Sequence, residues 1–295
     1  MELGRCPSCG ATRRKKWYAH ERLVLWVCGS CGLGYSDPQP VDLVEDRYLA
    51  KYDLAEYFET LEVRKGVLNE RRLDCLPSAG NDRKLLDIGC GDGQFAAAAA
   101  ERGWTAEGVE LNPPAAQKAR DRGVIVHEGH VEKIDVGSTY DLITSWDVIE
   151  HVPDPRKFIE RMVSFAAPGA TIVVATLNRR SLVARTFRGR WSMVVEDHYT
   201  YWDKASLSLA FDSAGAAVTG SSSYGLGRDF VSWVDRWRGT ASNQADVEGN
   251  TPTNPSGAQW DVNPVVLAAE RTLNRFLDRF SLGVEVELVL RVPGP

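Results

Sequence analysis

The sequence predicts an α/β chain, a mainly parallel sheet with helices on both faces, preceded by a small metal-held module. Three observations carry that expectation. Two Cys-x-x-Cys pairs stand near the N-terminus, at Cys6 and Cys9 and at Cys28 and Cys31. From about residue 83, short apolar runs alternate with stretches of helical pattern, as parallel strands joined by crossover helices do. The first run opens into a turn with glycine at 89, 91 and 93, which exposes bare backbone at the carboxyl edge of a sheet.

A chain of 295 residues, 43% hydrophobic and 25% charged, accommodates one large domain with a small appendage. With 35 Lys and Arg against 40 Asp and Glu, the net charge is -5, which weighs against a dedicated nucleic-acid binder. The charge is uneven: residues 1–36 carry +4 and residues 37–295 carry -9. No apolar run approaches the ~18–20 residues of a membrane span, and the opening MELGRCPSCG lacks a signal-peptide plan. A cytoplasmic protein with no membrane partner is expected.

Residues 1–36 read as a zinc ribbon. Each cysteine pair presents two thiolates from one tight turn, followed by Gly10 or Gly32, and four thiolates close a tetrahedral Zn²⁺ site that leaves no position for substrate. The intervening Trp17-Tyr18 and Leu23–Val27 suit a short hairpin. Two disulfides or a redox pair are the rival readings. Cys75 reads as a small buried hydrophobe. Residues 37–82 read as a helical linker or cap.

The main domain, 83–295, begins with a strand at Lys84–Ile88 and a helix at Gln94–Arg102. A second strand, Thr105–Leu111, is followed by a helix that Pro113 and Pro114 open, running to Arg122; proline is well placed there because the first helical amides have no partner. Gly103 and Gly123 stand where helix C-caps are expected. Strands at Val124–His127, Tyr140–Trp146 and Thr171–Leu177 follow, with a helix at Pro155–Ala167 before the last of these. A helix at Asp203–Gly215 and strands at Ala216–Tyr224 and Val284–Val292 complete the pattern.

The first strand ends Asp87-Ile88-Gly89-Cys90-Gly91-Asp92-Gly93, and the second ends on Glu110, 21 residues beyond Gly89. Gln94 occupies the last glycine position of the dinucleotide fingerprint. An acid followed by alternating glycines resembles the class I S-adenosylmethionine-dependent methyltransferases. Tyr140–Asp147 and the Pro168-Gly169-Ala170-Thr171 turn resemble later motifs of that family. The resemblance implies a Rossmann-like, doubly wound sheet of seven strands that binds S-adenosylmethionine. It places Asp87 at the methionine end, Gly89, Cys90, Gly91 and Gly93 along the cofactor, and Glu110 on both ribose hydroxyls, with Leu111 and Trp146 beside it. Gly129-His130-Val131-Glu132 stands where the family holds adenine, with His130 in place of an acid and the Val131 amide as the remaining donor. The family joins its last two strands by a tight hairpin, so residues 226–281 form an insertion before the last strand. It holds helix candidates at Asp229–Arg238 and Pro264–Phe280, separated by a mobile loop over Thr240–Gln259, and is expected to shape the acceptor pocket, cover the sheet edge or form a homodimer contact.

A sulfonium methyl is already electrophilic, so the enzyme must align an acceptor and, for oxygen or carbon, remove a proton. Of five histidines, His20 lies in the ribbon and His127 and His130 near the adenine turn, leaving His151 and His198 as candidate bases. Asp147, Glu150 and His151 resemble the E-x-x-E-H of ubiquinone-type O-methyltransferases, which implies that they can hold a divalent ion such as Mg²⁺. Glu196–Trp202 resembles a stretch that contributes to the family's acceptor pocket; otherwise His198 caps the next helix or bonds a loop carbonyl. The reading is methyl transfer to oxygen or carbon of a small-molecule metabolite: a natural product, sugar or quinone-like compound. An RNA base methyltransferase using the +4 patch, and a non-catalytic cofactor-binding scaffold, are the alternatives.

Overall fold

A strand covered on both faces has no polar side, and the apolar runs of this chain form the centre of a seven-stranded sheet. The computed structural model describes residues 4–20, 23–37, 66, 68–79, 83–225 and 273–294. The sheet contains β4 (Lys84–Ile88), β5 (Thr105–Glu110), β6 (Ile125–Glu128), β7 (Tyr140–Trp146), β8 (Ala166–Leu177), β10 (Ala217–Tyr224) and β11 (Glu285–Arg291), in the order β10-β11-β8-β7-β4-β5-β6. The β6-β5-β4-β7-β8 block is parallel, and β11 runs antiparallel to both neighbours. The chain winds outward from β4 to β6, then returns to β7, so a crevice opens at the carboxyl ends beside β4.

Alternation along the strands feeds two cores. Leu86, Ile143, Ile172 and Val174 pack with Phe158, Met162 and Phe165 of α3 (Pro155–Phe165) and Leu207 and Phe211 of α5 (Lys204–Ser213). Their neighbours Leu85, Leu142, Val173 and Ala175 meet Phe95 and Ala99 of α1 (Gln94–Glu101). Helix starts follow local chemistry. Asn112 caps α2 (Pro113–Asp121), accepting from the Ala115 amide at 3.1 Å. Asp203 and Ser206 close a reciprocal capping box on α5 at 2.9 and 3.0 Å, each bond satisfying an amide that the helix leaves open. The remaining helix, α4 (Leu182–Phe187), is capped by Ser181.

β8 starts at Ala166, five residues before the expected strand. Pro168 and Gly169 do not end the pairing. A register shift between Tyr140 and Leu142 absorbs them, as a bulge does.

The N-terminal hairpin, β1 (Arg14–His20) with β2 (Leu23–Cys28), continues through β3 (Gly34–Ser36) onto β9 (Thr200–Tyr201). This four-stranded sheet therefore takes one edge from residues far down the chain. Leu33, Tyr35 and three of the cysteines share a core with Ile88 and Trp202.

Cys75 is exposed. It follows a helical segment at 68–74, where Leu73 and Leu76 take the inward positions and Asp74 and Cys75 the outward ones, so the expected burial is corrected. The Gly225 carbonyl accepts from the Val284 amide at 3.0 Å, so the chain leaves β10 and re-enters β11 at one point. Of the two helix candidates between them, residues 273–279 are helical; Asp229–Arg238, the Thr240–Gln259 segment and most of 37–65 lie outside the described residues. No helix among the described residues is long and apolar enough to cross a membrane.

Candidate active site

The three motif glycines adopt left-handed backbone, at φ 77, 56 and 77 for Gly89, Gly91 and Gly93, where a side chain is strained. Space excludes side chains at two of them independently of any ligand. A Cβ on Gly89 would stand 2.4 Å from Val148 Cγ2, and one on Gly93 would stand 2.6 Å from Ala119 Cβ. Cys90 is buried, and its sulfur fills the space beside Gly108, where an added Cβ would meet it at 2.4 Å. Burial, with Asp87 and Glu110 nearby, pushes the Cys90 thiol well up. It is a packed, protonated thiol.

Glu110 ends β5 with 1% exposure and holds the turn. Its carboxylate accepts from the Gly91 amide at 2.8 Å and from the Asn112 amide at 2.7 Å. Each carboxylate oxygen thus carries one fixed donor and keeps further accepting capacity, beside half-buried Leu111. Asp87, also buried, accepts from Thr144 Oγ1 at 2.7 Å. Burial pushes its carboxyl up to about 7, although the Thr144 hydroxyl and Arg72 oppose that rise. Next along the edge, the Gly129 amide donates to the Glu110 carbonyl at 2.8 Å, and a turn closes from the Lys133 amide to the His130 carbonyl at 2.9 Å. Val131 is buried in this turn. His127 is not at the crevice; it pairs with Glu107 at 2.7 Å, alongside the Tyr140 hydroxyl at 2.9 Å. The side chain of His20 lies outside the description.

His151 and His198 stand 47 positions apart in the chain yet meet edge to face, with ring centroids 4.7 Å apart. Nδ1 of His151 lies 2.8 Å from the Asp197 carbonyl, and Nδ1 of His198 lies 2.8 Å from the Met193 carbonyl. A carbonyl only accepts, so both Nδ1 atoms carry the proton and the neutral rings keep their basic lone pair on Nε2. Glu150 joins them: ligand atoms of Glu150, His151 and His198 lie within 4.8 Å of one another. Asp147 does not join this group. At φ 58 it precedes the short 3-10 turn Ile149–His151, and its carboxylate pairs with Arg72 Nη2 at 2.7 Å. The expected Asp147, Glu150, His151 grouping is thus replaced by Glu150, His151 and His198.

Arg72 carries no sequence signal, because an arginine in a helical pattern reads as a solvated side chain. Here it is buried, lying 4.5 Å from the Trp146 ring centroid. Trp146 in turn meets Phe95 at 5.1 Å. Glu285, half-buried at the start of β11, has its carboxyl among Asp147, Glu150 and Arg72; desolvation and the two acids push it well above the usual range. Glu150 is likewise pushed up to about 8, by burial and Asp147, while its carboxylate accepts from Thr176 Oγ1 at 2.8 Å. Among the described residues, Arg72 Nε, Trp146 Nε1 and Tyr224 Oη are buried without a hydrogen-bond partner, while the Asp147 and Glu285 carboxyls face each other. Such atoms in a native fold mark a place where water or a ligand completes the bonding.

In the ribbon, Cys6 and Cys31 sulfurs are 3.6 Å apart, those of Cys9 and Cys28 are 3.5 Å apart, and all four lie within 4.8 Å. These separations are too long for a disulfide. They match the ~3.8 Å sulfur–sulfur edge of a tetrahedron with Zn–S bonds of ~2.3 Å, so the donor set fits zinc.

A doubly wound sheet with a glycine turn and an acid at its carboxyl edge defines a Rossmann-like fold of the nucleoside-cofactor-binding class. Residues 52–220 match the family model described as a methyltransferase domain, and the chain belongs to that family. The ubiquinone biosynthesis O-methyltransferase of Erwinia tasmaniensis is 31% identical over 127 residues, covering 39% of this chain and 51% of that protein. That of Nitrobacter winogradskyi is 28% identical over 211 residues, covering 65% of this chain and 75% of that protein. Norajmaline N-methyltransferase of Rauvolfia serpentina is 37% identical over 112 residues, covering 34% and 38%. The chain spans about half the length of the first curated relatives it matches. A SAM-dependent methyltransferase structure from Thermotoga maritima shares the fold with a TM-score of 0.55 at 17% identity, covering 85% of this chain and 99% of that one. One from Archaeoglobus fulgidus gives 0.54 at 14%, covering 81% and 100%.

Proposed function

We propose that the protein transfers the methyl group of S-adenosylmethionine to an oxygen or carbon of a small-molecule metabolite, of natural-product, sugar or quinone-like type. The observation that carries this reading is the packing of Val148 against Gly89, which seats the 3-10 turn bearing His151, and with it His198, beside the glycine turn. The cofactor supplies an electrophilic methyl on a sulfonium. Asp87 and the glycines 89, 91 and 93, with Cys90 at their centre, would line its methionine end, where a bound ammonium group would favour the ionised form of Asp87 against the protonated form that burial favours. Glu110, beside Leu111, would hold the ribose hydroxyls, and the His130-Val131 turn would hold the adenine. The unpartnered atoms of Arg72 and Trp146 offer donors to polar groups at the same edge.

His151 or His198 takes the acceptor proton on Nε2, and the adjacent ring and the Nδ1–H to carbonyl bonds hold it in position. Release of S-adenosylhomocysteine across a panel of phenols, sugars and activated carbon acids tests the activity. Replacing each histidine by Ala is expected to lower turnover about 10²–10⁴-fold with little change in cofactor affinity. Full activity in both variants would sink the histidine base, and no release with any acceptor would favour the non-catalytic scaffold.

A second reading rests on the Glu150, His151 and His198 grouping. Two imidazoles and a carboxylate suit a borderline divalent ion better than Mg²⁺, which prefers oxygen ligands. Activity lost to a chelator and restored by Mn²⁺ or Zn²⁺ would select it. Residues 1–36 we read as a ribbon holding structural Zn²⁺ on Cys6, Cys9, Cys28 and Cys31, with 83–295 as the catalytic domain. RNA base methylation is the runner-up and requires steep salt-dependent RNA binding.

A further inference from the structure

Arg179 takes no part in the crevice, yet it stands where the two sheets of the molecule meet. It follows β8, and its backbone is fixed: the Arg179 amide donates to the Trp202 carbonyl at 2.8 Å, beside the bridge between Asn178 and Trp202. The side chain turns into the fold, 15% exposed, and Nη2 donates to Asp203 Oδ2 at 2.5 Å. Asp203 is itself held, because its other oxygen caps α5 through the Ser206 amide. The guanidinium therefore reaches the ribbon already set in one position. There it lies against the turn that follows Cys31. A Cβ on Gly32 would stand 3.6 Å from Arg179 Nη2, and one on Gly34 would stand 3.2 Å from Arg179 Cδ, so the arginine occupies space that these glycines leave open. Cys31 is near enough for its charge to bear on the guanidinium. Among the described residues, Arg179 Nε is buried without a hydrogen-bond partner.

Electrostatics gives this placement a role. Four thiolates around Zn²⁺ leave two net negative charges, and Cys6, Cys28 and Cys31 are buried, where water and salt screen charge poorly. Among the ribbon's own cations, Arg13 is exposed and Arg14 pairs with Asp37; Arg179 approaches from the buried side. We propose that Arg179 is a positioning residue for the ribbon metal: its charge helps to hold zinc on the four cysteines, while its bonds to Trp202 and Asp203 tie that metal to the segment that follows His198. The proposal rests on the zinc reading above. Partners that stand just outside a metal's ligands are worth about 10–100-fold in metal affinity, which is the size of effect expected here.

Competition for zinc between the full chain and a chromogenic chelator, at fixed pH, tests this without using methyl transfer. Arg179→Gln removes the charge and should lower zinc affinity about 10–100-fold. Arg179→Lys keeps a cation at the same place and should recover most of that loss. Asp203→Asn retains a good helix cap but frees the guanidinium from its counter-charge, so zinc should be held at least as tightly as in the wild type. Unchanged affinity in Arg179→Gln overturns the proposal, and so does a loss that Arg179→Lys does not recover. Weaker zinc in Asp203→Asn overturns it as well, because the ion pair would then act only as a structural tie; this variant decides the matter should Arg179→Gln fail to fold. A wild-type chain that takes up no zinc refutes the ribbon reading and the proposal with it, whereas zinc held equally by wild type and Arg179→Gln refutes the proposal alone.

Discussion

Glu110→Ala tests whether one carboxylate both holds the glycine turn and receives the ribose of the proposed cofactor. In the cofactor-free fold this side chain, 1% exposed, accepts from the amides of Gly91 and Asn112 at 2.8 and 2.7 Å. A hydrogen bond to a charged group contributes about 1.5–3 kcal/mol, so removing both should destabilise the protein by roughly 3–6 kcal/mol before any ligand is added. That is a large part of the ~5–15 kcal/mol that holds a folded domain together. Glu110→Gln keeps one good acceptor and presents an NH₂ to the other amide, so it should lose about half as much. Urea denaturation of the cofactor-free variants gives these differences as shifts in midpoint at constant slope. Titration with S-adenosylhomocysteine then reads the ribose contribution, a further loss of about 1.5–3 kcal/mol. An Ala variant with a wild-type urea midpoint and lost cofactor binding would refute the reasoning, because it would show that Glu110 does not organise the turn.

Gly89→Ala adds a side chain at φ 77 that meets Val148; left-handed strain of about 1–2 kcal/mol and a packing clash of about 1–3 kcal/mol should combine. Val148→Ala in the same chain should recover the clash, and strict additivity in a double-mutant cycle would show that the contact is absent. The folded-state carboxyl of Asp87 stands near 7, above its ordinary 3.8, so the folded protein binds more protons than the unfolded chain between those values. Stability of the cofactor-free protein should therefore fall as pH rises from about 4 to 7, and Asp87→Asn should flatten that slope; equal slopes in urea midpoints would contradict it. Metal analysis should find one zinc per chain. Cys6→Ser should lower acceptor turnover as well as unfold the ribbon, since β3 pairs with β9 next to His198, while cofactor affinity survives. Loss of zinc with undisturbed turnover would separate the two sheets functionally.

What could be read from the residues divides by range. β4 and β7 are apolar runs bounded by turn residues, and their expected ends match the observed ones. Asp203 announces its helix because the capping bonds reach only three residues ahead. The histidine pair could not be read, because nothing local links residue 151 to residue 198; Asp147, close in sequence, was the nearer choice, and its left-handed backbone turns it to Arg72 instead. Strands β3 and β9 are three and two residues long, too short for a period of two to register. Arg72 hid for a different reason: helical spacing marks which face a residue occupies, while only the packed neighbours decide whether a charge on that face is buried.

The pairing of Gly34 with Tyr201 and of Tyr35 with Thr200 also sets an order of events as the chain is made. The hairpin and its four thiols emerge early and can take up metal at once, but the edge of their sheet stays unpaired until the residues after β8 have been synthesised. Closing a loop of that length is among the slower steps of folding, and an open strand edge is where chains misassociate. The short β3, only three residues long, limits that exposure during synthesis, and the same late closure that completes the ribbon brings His198 to His151.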